Sequence, residues 1–138
     1  IRSRYLKGIF GGFLCLLIFS GCQGKALPEG MEEDVVLSSG EDIVDLLIAE
    51  DFDQVYERLR EDIQAGTSVD DIEELMDKAS DGLGEFDEVT DTLVTGVRNA
   101  DVPHAIAVIR CKYEKKSIVF RVAFDTEMEL IGLEIKRS

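Results

Sequence analysis

Few side chains in this 138-residue sequence are placed to do chemistry, and each can be weighed against what that chemistry needs. His104 is the only histidine. It follows Pro103 at the start of an apolar alternation, a surface setting, and the local sequence puts no serine or cysteine nucleophile beside it. A triad assembled from distant segments stays open, but a solvated histidine is the simpler reading. Zinc takes three or four ligands, more than one histidine and one usable cysteine supply. Carboxylates are abundant, and Asp51-Phe52-Asp53, Asp70-Asp71 and Asp87-Glu88 form local pairs. None follows the EF-hand spacing, with ligands at positions 1, 3, 5 and 12 and glycine at 6. They read as solvated helix faces, and Asp70 and Asp71 in a first helical turn also suit the macrodipole. Paired carboxylates can cleave glycosides, yet the chain has no Trp to serve as a sugar platform. No catalytic residue, metal or cofactor is assigned, and the chain is not expected to be an enzyme.

The most specific setting belongs to Cys22. Arg2, Arg4 and Lys7 make a basic start, and Gly8 to Phe19 is an apolar run. That is the layout of a secretory signal peptide, and the run falls short of the roughly 20 apolar residues of a spanning helix. Ser20-Gly21-Cys22 resembles the lipobox of bacterial lipoproteins, with Phe19 where that family usually has Leu. The resemblance implies a diacylglycerol on the Cys22 thiol and cleavage after Gly21. One acyl chain holds a protein only marginally, whereas two anchor it stably. Residues 1–21 are thus expected to be a signal peptide. The remainder is expected to be lipid-anchored on the extracytoplasmic face of a bacterial cell membrane.

The chain carries 29 acidic against 15 basic residues, a net charge of −14. Loss of Arg2, Arg4 and Lys7 with the leader would make the rest more negative. Such a surface repels nucleic acid and anionic lipid, so no nucleic-acid partner is expected. Cys15 would leave with the leader and Cys22 would be acylated, which strands Cys111 without a disulfide partner. Lying in an apolar alternation, Cys111 reads as a small buried hydrophobe.

The elements that must position these groups follow from periodicity. Residues 22–39 hold Pro28, Gly24, Gly30 and the acidic cluster Glu32-Glu33-Asp34, and read as a flexible acidic tether. Residues 40–138 read as one domain. Ser38 and Glu41 have capping-box spacing, opening a first helix with Ile43, Leu46 and Leu47 on its apolar side. A second helix carries Phe52, Val55, Tyr56, Leu59 and Ile63 at intervals of three and four, stopped by Gly66. A third starts at Ser68, with Asp71 three residues on and Ile72, Leu75, Met76 and Ala79 as its stripe. From Phe86 the period drops toward two. A first strand carries Val89, Leu93, Val94 and Val97, its face left ambiguous by Thr90, Thr92 and Thr95. Three more follow in an antiparallel meander: Ala105 to Tyr113, Ile118 to Phe124, and Ile131 to Ile135. The inward positions would be Ala105, Ala107, Ile109, Cys111, Ile118, Phe120, Val122 and Phe124, with Val119, Ala123 and Leu130 facing out. Helices segregated ahead of strands predict an α+β domain, three helices packed on a four-stranded antiparallel sheet.

Ala49-Glu50-Asp51-Phe52, Leu83-Gly84-Glu85-Phe86, Phe120-Arg121-Val122-Ala123-Phe124-Asp125 and Ile131-Gly132-Leu133 resemble domain-of-unknown-function family 3887 over roughly Glu41 to Ile135. In the last turn, Asp125-Thr126-Glu127-Met128 lacks the glycine often found there. The resemblance implies an exported bacterial protein and a curved, cystatin-like cone of the kind also seen in nuclear-transport-factor-2-like proteins. Such a cone can enclose a pocket. Phe52, Tyr56, Met76, Ile109, Tyr113, Phe120 and Phe124 are its candidate lining, or simply its core. The expected function is a membrane-tethered binding or accessory module for a protein or peptide partner. The alternative is a small enzyme or small-ligand binder using the inside of the cone.

Overall fold

The structure, a computed structural model, describes residues 25–138. Four helices precede four strands: α1 Glu33–Ile48, α2 Phe52–Arg58, α3 Glu61–Gln64 and α4 Val69–Ser80, then β1 Phe86–Val97, β2 His104–Tyr113, β3 Ser117–Asp125 and β4 Leu130–Arg137. The strands form one open antiparallel sheet in the order β1-β2-β3-β4. The helices pack on its inner face, giving the α+β architecture read from the sequence. All eight inward positions predicted on β2 and β3 are buried.

Helix α1 lies across β2, β1 and β3. Val36, Gly40, Ile43, Val44 and Leu47 make its buried stripe, at the three-and-four spacing that puts side chains on one helix face. Gly40 sets the distance of approach, because a Cβ there would stand 2.6 Å from the Cβ of Ala107. The helix ends in a Schellman pattern, with Glu50 N–H donating to Leu47 O at 3.1 Å and Asp51 N–H to Leu46 O at 2.9 Å. Glu50 takes the left-handed position, with φ 62.

Three expectations are corrected. The start of α1 is Glu33, so Ser38 and Glu41 lie within the helix and do not open it. Burial of Val36, which is fully inaccessible, outweighs the weak helix propensity of the two serines between it and Gly40. Consequently the segment from residue 25 to 39 is not a free tether. Lys25 N–H donates to Thr95 Oγ1 at 3.0 Å, Gly96 N–H donates to Lys25 O at 3.0 Å, and Leu27 and Met31 pack against the core. The domain therefore begins by Lys25 and not at residue 40, whereas residues 1–24, including Cys22 and the leader, lie outside the described residues.

The second expected helix is two. Leu59 leaves helical geometry at φ −69, ψ 143, forms a parallel bridge with Leu130, and is followed by Arg60 N–H donating to Leu130 O at 2.9 Å. Across the break, Tyr56 Oη donates to Gln64 O and Gln64 Nε2 donates to Tyr56 O. These bonds clamp the two helices across the break, each adding a second donor to a carbonyl that already accepts a backbone N–H, from Thr67 at Gln64 O and from Leu59 at Tyr56 O.

The third correction concerns Leu130, expected outward and only 1% exposed. A bulge between Ala123 and Phe124 changes the parity of the β3–β4 pairing, and one residue of slip exchanges the two faces of a strand. By contrast, the helix start expected at Ser68 is found there, closed by a capping box in which the Ser68 and Asp71 side chains each accept from the other's backbone N–H at 3.1 Å. At the other end of α4, Arg137 donates to the carbonyls of Ala79, Lys78 and Asp81, a cation on the negative end of the macrodipole.

Candidate functional site

The candidate lining residues belong to the packed interior. Ile109 and Phe120 occupy the sheet centre, Phe124 lies towards the end of β3, and Phe52 on α2 and Met76 on α4 belong to the same core, all buried. Tyr56 is half-buried and its hydroxyl is committed to Gln64 O. Tyr113 differs. It is 4% exposed, its ring stands edge-on to Phe86 with centroids 5.9 Å apart, and its hydroxyl has no hydrogen-bond partner. Burial, with Cys111 nearby as a lesser cause, pushes its phenol up to about 12. Burial likewise pushes the Cys111 thiol up to about 12, with the charge of Asp45 adding to the effect. A thiol so far from ionising is a poor nucleophile, in keeping with its reading as a packing residue.

His104 is half-buried at the head of β2. Its Nδ1 lies 2.7 Å from Val102 O, a contact in which the nitrogen must carry the proton and donate. Among the described residues no group of three or more His, Cys, Asp or Glu is placed to hold a metal ion. No helix among them is long and apolar enough to cross a membrane.

One polar cluster escaped the sequence reading. Asp125, 7% exposed, accepts from Arg60 Nη1 at 3.1 Å and from the N–H groups of Glu127 and Glu129 at 2.9 Å. Arg60 also donates to both oxygens of Asp62, at 2.7 and 3.0 Å. That pairing holds the Asp62 carboxyl below its usual range and raises Arg60 above its own. With every charge paired and the Asp125 oxygens occupied, the cluster ties the α2–α3 break to the β3–β4 turn. It offers no free acid or base. Arg60 and Asp125 come together only because Leu59 pairs with Leu130, which no local spacing signals.

The open part of the molecule is the first half of β1. Every residue from Phe86 to Leu93 is exposed, and Phe86, Val89 and Leu93 are three of the five large hydrophobic residues that stand exposed among the described ones. Phe86, Val89 and Thr92 pair with Tyr113, Cys111 and Ile109, so they continue the inner face beyond the cover of the helices. β1 is also an edge strand. Its outer backbone is met at Gly96 by Lys25, while Asp87, Glu88 and Asp91 line the uncovered stretch, which carries two bulges.

No curated protein matches the chain. A solved structure does: the solution NMR structure of a protein from Ruminococcus gnavus ATCC 29149 aligns with a TM-score of 0.67 at 21% identity, covering 79% of this chain and 95% of that one. At that identity the likeness is one of fold. The family model described as protein of unknown function (DUF3887) matches residues 40–133, from the Gly40 crossing to Leu133 in the last strand, and the chain belongs to that family.

Proposed function

We propose that this chain is an extracytoplasmic lipoprotein, held to the membrane through acylated Cys22, whose domain is a non-catalytic binding or accessory module for a protein or peptide. The observation that carries the binding reading is the uncovered half of β1. Apolar patches of this kind mark protein contacts, and an unpaired edge can accept an added strand. The acids Asp87, Glu88 and Asp91 favour a partner bearing Lys or Arg. They also disfavour a second copy of this chain, since pairing β1 with β1 would bring like charges opposite one another. The non-catalytic part is supported by the buried positions of β2 and β3, whose acids are the Cys111 thiol and the Tyr113 phenol, both pushed up to about 12, and Asp125, tied to Arg60.

The test is photocrosslinking in membranes of the native host, with benzoylphenylalanine at Val89 of the full chain. A discrete protein adduct is expected from Val89, lost when Asp87 and Glu88 are both replaced by Lys. Equal adducts from an exposed control position, Glu73 on α4, would refute the reading.

A second reading, a small-ligand binder using the cone, is favoured by one atom: the Tyr113 hydroxyl, buried without a partner. Buried hydroxyls normally find one. A ligand acceptor reaching Tyr113 past Phe86 would supply it, and would lower Tyr113 fluorescence in a titration that Tyr113→Phe abolishes.

A further inference from the structure

We infer that the domain stands on the bilayer with a fixed side down: the corner made by Lys25, the end of β1 at Thr95–Val97, and the β1–β2 turn faces the membrane, and the β2–β3 turn faces away. The inference rests on the acylation of Cys22 proposed above. Lys25 is held to β1 through both its N–H and its carbonyl, at 3.0 Å each. Ala26 and Leu27 then lie flat over Gly96, where a Cβ would stand 2.6 Å from Leu27 Cα and would collide with Ala26 O. Leu27 packs against the core and Pro28 is buried. The segment is thus part of the fold.

Gln23 and Gly24 alone separate Lys25 from Cys22. Three residue steps span at most about 11 Å, so a thioether-linked lipid keeps Lys25 close to the bilayer surface, and Thr95 and Gly96, hydrogen-bonded to it, only a little farther. A free tether of the same stretch would have let the domain drift on the order of 20 Å. From this end of β1 the chain runs directly into the turn 98–103, where Val102 is an exposed apolar side chain and Arg98 is basic. β2 then leads away over 10 residues, roughly 33 Å at 3.3 Å per residue, to the turn at 114–116. The orientation also points the uncovered end of β1, at Phe86, away from the lipid, where a partner can reach it.

The experiment uses the full chain with Val102→Cys or Lys115→Cys, each labelled with bimane and reconstituted into phosphatidylcholine vesicles containing headgroup spin-labelled lipid. Mass spectrometry reads the state of Cys22 in the same samples. Quenching is expected to be several-fold stronger at position 102 than at 115. Inserting ten Gly/Ser residues between Gly24 and Lys25, which adds roughly 17 Å of reach, is expected to erase most of that difference without touching the fold. Equal quenching at the two positions, on a chain whose Cys22 carries diacylglycerol, overturns the orientation and leaves the anchor standing. An unmodified sulfur at Cys22 overturns both.

Discussion

Gly40 offers the sharpest test of how the helical layer meets the sheet. In Gly40→Ala the new methyl would stand 2.6 Å from Ala107 Cβ and 3.4 Å from Ile109 Cδ1, whereas carbon atoms rest at about 3.5–4.0 Å. Neither Cβ can swing aside, since each is fixed to its backbone. Helix α1 must therefore lift by about 1 Å from the strands it crosses, and its other buried contacts, Val36, Ile43, Val44 and Leu47, loosen with it. Overpacking of this kind costs about 1–3 kcal/mol. Against it, alanine is the better helix former by about 0.8–1.0 kcal/mol. The expected outcome is a net loss of up to about 2 kcal/mol, read as a lower urea midpoint at unchanged slope. The sign is the point, because propensity alone predicts a gain. Gly66→Ala provides the control: its Cβ would meet only Ile63 O at 3.9 Å, so the variant should be neutral or slightly stabilised. Adding Ala107→Gly to Gly40→Ala should recover a coupling energy of about 0.5–3 kcal/mol. A Gly40→Ala protein at least as stable as the parent would refute the close crossing.

Other consequences can be measured on the same unfolding curves. Glu50 is exposed and left-handed, so Glu50→Gly should stabilise by about 0.5–1 kcal/mol; a loss would mean that the Glu50 side chain has work of its own. Asp125→Ala leaves the N–H groups of Glu127 and Glu129 without an acceptor and should cost about 1–3 kcal/mol, and an unchanged midpoint would contradict the latch. In alkali the sign is set by Cys111 and Tyr113, both raised to about 12 from 9.0 and 10.0. The unfolded chain then sheds protons before the native one, so stability is full below pH 9 and falls as pH climbs towards 12. Cys111→Ala should flatten the first part of that fall, and Cys111 should resist thiol reagents at pH 8 until the protein unfolds.

Most of what is written within one element is legible from it, the capping-box spacing of Ser38 and Glu41 inside α1 being the exception. The capping box at Ser68, the stripe of α4 and the alternation of β2 and β3 are written within single elements, and each appears where its spacing puts it. The departures all have partners remote in sequence. Residues 32–34 are three consecutive acids and read as solvated, but Val36 finds the inner face of the sheet and recruits its neighbours into α1. Leu59 sits on a good helical stripe, and only β4 explains why it abandons the helix. Leu130 follows the wrong parity until the bulge beside Phe124 is known. Met128 adopts φ 64, a conformation that favours glycine, and its partial burial against the core shows what the turn gains by keeping a side chain there.

Two glycines divide the sheet into unlike halves. Gly40 lets α1 settle against Ala107 and Val122, and Gly96 lets Ala26 and Leu27 cross the end of β1. Both close approaches lie toward the β1–β2 turn. There β1 is covered: Val94 and Gly96 are buried, and the entering chain occupies its edge. Eight residues earlier the same strand has lost both covers, and Phe86 and Val89 continue the inner face in the open. One strand therefore serves two ends, fixed where the chain arrives and free where the helices stop. Because the two ends share no side-chain contact, perturbing one should leave the other alone. A longer linker ahead of Lys25 should change the height of the domain above the lipid without altering crosslinking from Val89, and Val89→Lys should abolish crosslinking from Phe86 on the same face without changing quenching at Val102. If the two readouts instead moved together, the open strand would have to be part of the membrane-facing corner, and a lipid contact would replace the protein partner as the explanation of its exposed apolar side chains.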